Sequence, residues 1–138
     1  MDELVVWLRA QLDEEAEAAQ RAFSGQADPE NGWGAYRPEG QRHTTITPHV
    51  GIVHETVQAD HVVTWNPARV LREIEAKRHI LAQCAYWNER ADREAADPPK
   101  YPQPGLDLGL LLDAMNPVLR LLAQPYADRP GYREAWRP

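Results

Sequence analysis

The sequence predicts an α+β fold in which two long helices are separated along the chain by a small antiparallel sheet of two or three strands, with short C-terminal helices closing the core. Two segments carry apolar residues at helical spacing, and the stretch between them is rich in β-branched residues interrupted by glycine and proline. A chain of 138 residues has the size of one domain, so we assign residues 1–138 to a single domain.

A first helix is predicted over residues 1–24. Asp2 and Glu3 suit the positive end of the helix dipole, and Ser24-Gly25 ends the helix. Trp7 flanks the apolar stripe, and we expect it to pack against the rest of the protein. The stripe itself consists of residues spaced three or four apart: Leu4, Leu8, Leu12, Ala16, Ala19 and Phe23.

The segment 31–65 is predicted to be β-rich, because glycine and proline separate short runs of β-branched residues. Within it the passage from Ala59 to Val63 fits either a strand or a single helical turn. The predicted strands cover residues 44–47, 50–57 and 61–65.

The second long helix is predicted over residues 66–96. Asn66 is a favourable N-cap, and Pro67 occupies the first helical position, where its missing N–H has no cost. Asp97-Pro98-Pro99 ends the helix.

Residues 98–105 contain four prolines and predict an extended connector. Residues 106–138 are predicted as short helices followed by an aromatic tail. The dipeptide Asn116-Pro117 repeats the cap-plus-proline pattern found before the second long helix, so we expect one helix at 106–114 and another at 117–124. Aromatic residues near the C-terminus predict that the tail is held against the body of the protein.

The net charge of −6 belongs to the first 31 residues, which contain eight acidic and two basic side chains. The whole chain has two lysines, and a surface that binds nucleic acid needs clustered positive charge, so direct binding to nucleic acid is disfavoured. No apolar run approaches the roughly 18 residues of a membrane span, and the acidic N-terminus is unlike a signal peptide. We therefore expect a cytoplasmic protein that does not bind membranes.

Four histidines, His43, His49, His54 and His61, lie close together in the β-rich segment. A set made of His49, His54 and His61 would support a metal-binding regulator or a metal-dependent hydrolase, although the spacing matches no recognised ligand motif. Cys84, the single cysteine, lies on an apolar helix stripe and is predicted to be a buried, inert thiol. No catalytic motif and no cofactor motif is present, which favours a non-catalytic protein without a cofactor.

Three blocks of sequence stand out, which begin with Asp2-Glu3-Leu4-Val5, with Asn66-Pro67-Ala68-Arg69 and with Leu121-Leu122-Ala123 and continue to residues 15, 81 and 138. Together they resemble a family of small uncharacterised proteins, a domain of unknown function that occurs in actinobacteria and their bacteriophages. Relatives carry cysteines, in a pattern that suggests metal binding, where this chain has Gln103 and a leucine-rich stretch, so the resemblance implies that this member lacks a cysteine-ligated zinc.

These observations predict an accessory protein that acts by binding another protein or a second copy of itself. One expected contact surface is the acidic outer face of the first helix, formed by Asp13, Glu14 and Glu17. The other is the leucine-rich stretch from Leu108 to Leu112, since it is more apolar than one half-buried helix requires, with simple burial in the core as the favoured alternative.

Overall fold

The computed structural model describes residues 2–22, 33–47, 51–98 and 107–138. It confirms the α+β fold, with a three-stranded antiparallel sheet after the first helix. The predicted connector lies outside the described residues except for Pro98, as do Phe23 and Gln103. The elements are α1 (Asp2–Ala22), β1 (Gly34–Tyr36), β2 (Thr44–Thr47), β3 (Gly51–Val53), α2 (Thr56–Thr64), α3 (Pro67–Ala96), α4 (Leu108–Ala123) and two 3-10 turns (Gln124–Tyr126 and Glu134–Trp136).

The chain forms two compact units, and α1 and α3 contribute to both of them. The first unit comprises Met1–Leu12 with Ala76–Pro138, and the second comprises Asp13–Glu75. Compact units in a chain of this size need not be separate domains, so the assignment of residues 1–138 to one domain stays a prediction.

The core of the first unit is built from one face of α1, one face of α3 and the inner face of α4. Leu8 and Leu12 follow each other by one helical turn and are each 1% exposed, because the four-residue spacing places both on the buried stripe. Burial of each such leucine stabilises the fold by about 1.5–3 kcal/mol. Six side chains meet at the centre of this core and leave no room for a water molecule between them. They are Leu8, Leu12, Lys77, Leu81, Leu122 and Tyr126.

The C-terminal tail (residues 124–138) is held against α1, as predicted. The indole Nε1 of Trp7 donates a hydrogen bond to the carbonyl oxygen of Pro130 over 3.1 Å. The Trp7 ring also packs on the rings of Tyr126, Tyr132 and Trp136, with centroids 6.5, 5.7 and 5.2 Å away. Trp7 therefore joins the start of the chain to its end.

In the second unit, β2 is the central strand of the sheet and pairs antiparallel with β1 and β3. Thr44 and Ile46 are buried while Thr47 is exposed, as expected for a strand with one covered face. Ile46 lies opposite Ala35 on one side and Gly51 on the other. The strand predicted at residues 44–47 is confirmed, whereas β1 was missed because it is a short, fully exposed strand that contains a glycine.

The predicted extent of the β-rich segment is wrong beyond residue 53. Of the strand proposed at 50–57 the structure shows β3, and the strand proposed at 61–65 is replaced by α2. The helical alternative for Ala59 to Val63 is confirmed, within a helix longer than one turn. Valine and threonine in this stretch favour strands by only tenths of a kcal/mol, and tertiary packing overrides such preferences. Ala59, which is fully buried, is small enough to bring α2 close to the sheet.

The second predicted long helix is confirmed as α3, with Asn66 as its N-cap. The Asn66 Oδ1 atom accepts a hydrogen bond from the backbone N–H of Arg69 over 3.0 Å. Its Nδ2 atom donates over 2.7 Å to the carbonyl oxygen of Val63, near the end of α2. One buried side chain therefore ends one helix and begins the next.

The prediction of two C-terminal helices at 106–114 and 117–124 is wrong, because α4 continues through Pro117. Asn116 does not cap a new helix, since its Oδ1 atom accepts a hydrogen bond from Nε of Arg120 over 3.1 Å. The cap of α4 is Asp107, whose side chain accepts from the backbone N–H of Leu110 over 3.0 Å. The inner face is buried after Pro117, at Leu119 and Ala123, and half-buried before it, at Leu108 and Leu112, which favours a continuous helix.

We expect the substitution Asn66→Ala to lower the free energy of unfolding by about 1–3 kcal/mol, because it removes the cap of α3 and leaves the Val63 carbonyl without its donor. Urea unfolding followed by circular dichroism measures the change. The control is Gln83→Ala at an exposed position of α3, for which we expect a change within about 0.5 kcal/mol. Equal effects of the two substitutions would contradict the role of Asn66.

Gly131 has a φ of 82°, and a Cβ atom there would lie 3.0 Å from Nε1 of Trp7. Gly131→Ala should therefore destabilise the protein by about 1–3 kcal/mol, through backbone strain and through displacement of Trp7. Gly40 has a φ of 77° with nothing within 4 Å of the added Cβ, so Gly40→Ala reports backbone strain alone. Equal losses of unfolding free energy in the two variants would show that contact with Trp7 does not fix the tail.

Candidate interaction surface

The outward face of α4 is apolar along the whole helix. Leu110 is 69% exposed, Val118 43% and Leu121 56%. Ala114 and Pro117 are exposed as well, and the spacing of these residues places them on one side of the helix. We define the outer stripe as Leu110, Ala114, Pro117, Val118 and Leu121.

The opposite face of α4 is apolar too, and it packs into the first unit. Leu119 and Ala123 are fully buried on this face. Leu108 and Leu112, the two residues predicted to form a contact surface, are half-buried on the same side. The structure thus places exposed leucines at 110 and 121, so α4 has apolar residues on two opposite faces and only one of these faces is buried.

Because of the break expected at Pro117, the sequence did not predict that Leu110, within the leucine-rich stretch, shares a face with Leu121. In two separate helices these residues have no fixed relation to each other. In one continuous helix they are 11 residues apart, close to three full turns, and share a face. Counting helical turns through Pro117, as in one continuous helix, is what shows that Leu110 and Leu121 share a face.

One flank of the outer stripe is charged and borders a concave surface. Asp113 and Arg120 lie on this flank, seven residues apart. Together with Asn116, Pro117, Leu121 and the terminal Pro138, they line an open concavity of about 430 Å³. The surface therefore combines apolar area with one acidic and one basic group.

The acidic face predicted on α1 is exposed, as its helical position requires. Asp13, Glu14 and Glu17 all reach solvent, in the part of α1 that belongs to the second unit. Glu17 forms an ion pair with Arg21 over 3.5 Å, and Asp13 and Glu14 also take part in polar interactions. An exposed helical ion pair of this kind contributes about 0.3–0.5 kcal/mol.

The described histidines do not form a ligand set. His43 is half-buried, His54 and His61 are exposed, and His49 lies outside the described residues. The His61 ring lies beside Trp65, with centroids 6.2 Å apart. Within residues 2–22, 33–47, 51–98 and 107–138, no three or more histidine, cysteine, aspartate or glutamate side chains are grouped so that they could hold a metal ion.

Two further features of the first unit, a concavity near the end of α3 and the thiol of Cys84, are accounted for by an ion pair and by burial. A concavity of about 600 Å³ near the end of α3 is lined by an ion pair between Arg90 and Glu94, with a distance of 2.8 Å from Nε to Oε1. This hydrogen bond raises the pKa of the Arg90 guanidinium, so the group stays positively charged at neutral pH. Cys84 is fully buried, and burial raises the pKa of its thiol.

We expect Cys84 to react with an aromatic disulfide reagent at least about tenfold more slowly in the native protein than in urea, because a buried thiol with a raised pKa supplies little accessible thiolate. The chain has one cysteine, so the absorbance change reports this thiol alone. Equal rates in buffer and in urea would contradict its burial.

The fold and this surface define a small α+β protein that exposes an apolar stripe along one face of a helix. The chain belongs to the family of unknown function DUF6221, whose sequence pattern matches residues 1–138. Comparisons with curated proteins and with solved structures returned no match. Among the described helices, none has the length and apolar character that crossing a membrane would require.

Proposed function

We propose that the protein is a non-catalytic accessory protein that acts by binding another protein through the outer stripe of α4. The observation that carries this proposal is the exposure of Leu110, Val118 and Leu121 on a helix whose other face is already buried. Removing apolar surface from water contributes about 25 cal/mol per Å², so a protein partner that covers this stripe gains stability from each leucine.

The stripe is presented in a fixed conformation, which favours binding. Asp107 caps the start of α4, and Leu119 and Ala123 anchor its inner face in the core. Side chains on a packed helix lose less conformational freedom on association than side chains on a loop, and this lowers the free energy that binding must offset.

The chemistry of the described residues supports a binding role over a catalytic one. The thiol of Cys84 is buried with a raised pKa, and Arg90 is held in an ion pair. The exposed carboxylates on α1 provide charge for steering a partner, since such groups affect association rates more than affinity. The family resemblance noted above also favours a phage or prophage gene.

The test compares proteins that are crosslinked to the tagged chain in its source cells. We expect the wild type to enrich a specific protein, and Leu110→Glu combined with Leu121→Glu to reduce that enrichment at least about tenfold, because charges on the stripe would be buried against the partner. The matched control is Val57→Glu, which makes the same kind of change at an 80% exposed residue outside α4.

Two results would contradict the proposal. If the stripe variant enriches the same protein as the wild type, α4 is not the binding surface. If neither the wild type nor Val57→Glu enriches any protein, including a further copy of this chain, the protein does not act by stable protein binding.

A further inference from the structure

We infer that the partner covering the outer stripe is a second copy of this chain, whose α4 lies antiparallel to the first. The inference rests on the proposed function, since it names the protein that the stripe binds. Two properties of α4 support it: the order of apolar residues along the stripe, and the order of charges along its flank.

The apolar residues of the stripe are arranged symmetrically about the middle of α4. Leu110 and Leu121 are equally distant from the point midway between residues 115 and 116, and so are Ala114 and Pro117. An antiparallel copy centred on that point therefore places each Leu110 against Leu121 of the other copy. The small side chain of Ala114 then lies near the centre, where the two helices must approach most closely.

The charged flank selects the antiparallel orientation. Asp113 and Arg120 are two turns apart on the same side of the stripe, which corresponds to about 10.5 Å along the axis. A two-fold axis perpendicular to both helices brings these flanks together, so Asp113 of each copy faces Arg120 of the other. With the two helices centred in this way, Asp113 and Arg120 of the other copy are displaced by about 3 Å along the helix axis, which an arginine side chain can span.

A parallel two-fold arrangement would instead place the flank carrying Asp113 and Arg120 on opposite sides of the interface in the two copies. Asp113 and Arg120 then have no charged counterpart across the interface, so these residues stabilise the antiparallel pair alone. Because each copy contributes the same patch, the antiparallel contact closes on itself and stops at two copies.

The size of the stripe sets the expected strength of the dimer. A helix of 16 residues is about 24 Å long, and contact along one face buries less than the roughly 1,600 Å² of a standard interface. We therefore expect a dissociation constant on the order of micromolar or weaker, and a dimer that dissociates on dilution.

The experiment is sedimentation velocity of the purified full chain over a hundredfold concentration series, with charge variants. Asp113→Arg and Arg120→Asp should each weaken dimerisation at least about tenfold, because each creates two like-charge contacts. The double variant carrying both substitutions should dimerise within a few-fold of the wild type, since it exchanges the two charges. A mixture of the two single variants should form the mixed dimer in preference to either homodimer.

Gln83→Glu, an exposed change on α3, serves as the control and should leave dimerisation unchanged. A wild type that stays monomeric at every concentration would overturn the inference. A dimer indifferent to Asp113→Arg and Arg120→Asp would overturn the antiparallel arrangement.

The crosslinking experiment separates failure of this inference from failure of the proposed function. If the wild type is monomeric but captures a different protein through the outer stripe, the second copy is the wrong partner and the binding function stands. If the wild type dimerises and the double variant Leu110→Glu with Leu121→Glu dimerises equally well, the outer stripe is not the dimer interface. Both the antiparallel arrangement and the proposal that the stripe is the binding surface are then wrong.

Discussion

The packing of Trp7 against the C-terminal tail is the constraint on which the first unit depends. A tryptophan this close to the core must find an acceptor for its indole N–H, and the Pro130 carbonyl supplies one. Gly131 then has to pass close beneath the indole ring with a positive φ, which glycine adopts without strain. The tail contacts α1 at three positions spaced by four residues, through the pairs Glu3 with Arg133, Trp7 with Pro130, and Gln11 with Arg129.

This attachment determines which face of α4 is covered. Tyr126 lies in the 3-10 turn that follows α4, is 3% exposed, and accepts a hydrogen bond from Nζ of Lys77 over 3.2 Å. With its C-terminal end tied to α1 and α3 in this way, α4 cannot rotate to bury its other side. The helix contains more apolar residues than one packed face can cover, so Leu110 and Leu121 are left outside. The exposed stripe is therefore a consequence of the tail contacts and of the composition of α4 together.

The sequence predicted those parts of the fold that local signals determine. The apolar period of α1, the strand at β2 and the Asn66-Pro67 start of α3 are each encoded within a few residues, and each is confirmed. The same dipeptide at Asn116-Pro117 does not start a helix, because the inner face of α4 is covered before and after Pro117 and the helix continues through the proline. The α2 helix was predicted only as one of two alternatives for Ala59 to Val63, a strand or a single helical turn, since its β-branched residues favour a strand in isolation. The contact surface at Leu108 and Leu112 was predicted from composition and stays a prediction, and only the continuous helix shows that Leu110 shares an exposed face with Leu121.

The position of Pro117 connects the fold to the proposed role of α4. A proline inside a helix removes one backbone hydrogen bond and lowers helix stability by about 3 kcal/mol, so it opposes the fold of α4 considered alone. The ring lies on the outer stripe, where it contributes nothing to the core. It does provide apolar surface with almost no conformational freedom to lose when a partner covers it. A helix that served only to close the core would gain stability from alanine at this position. The presence of proline at the centre of an exposed apolar stripe therefore favours a surface that is adapted for contact.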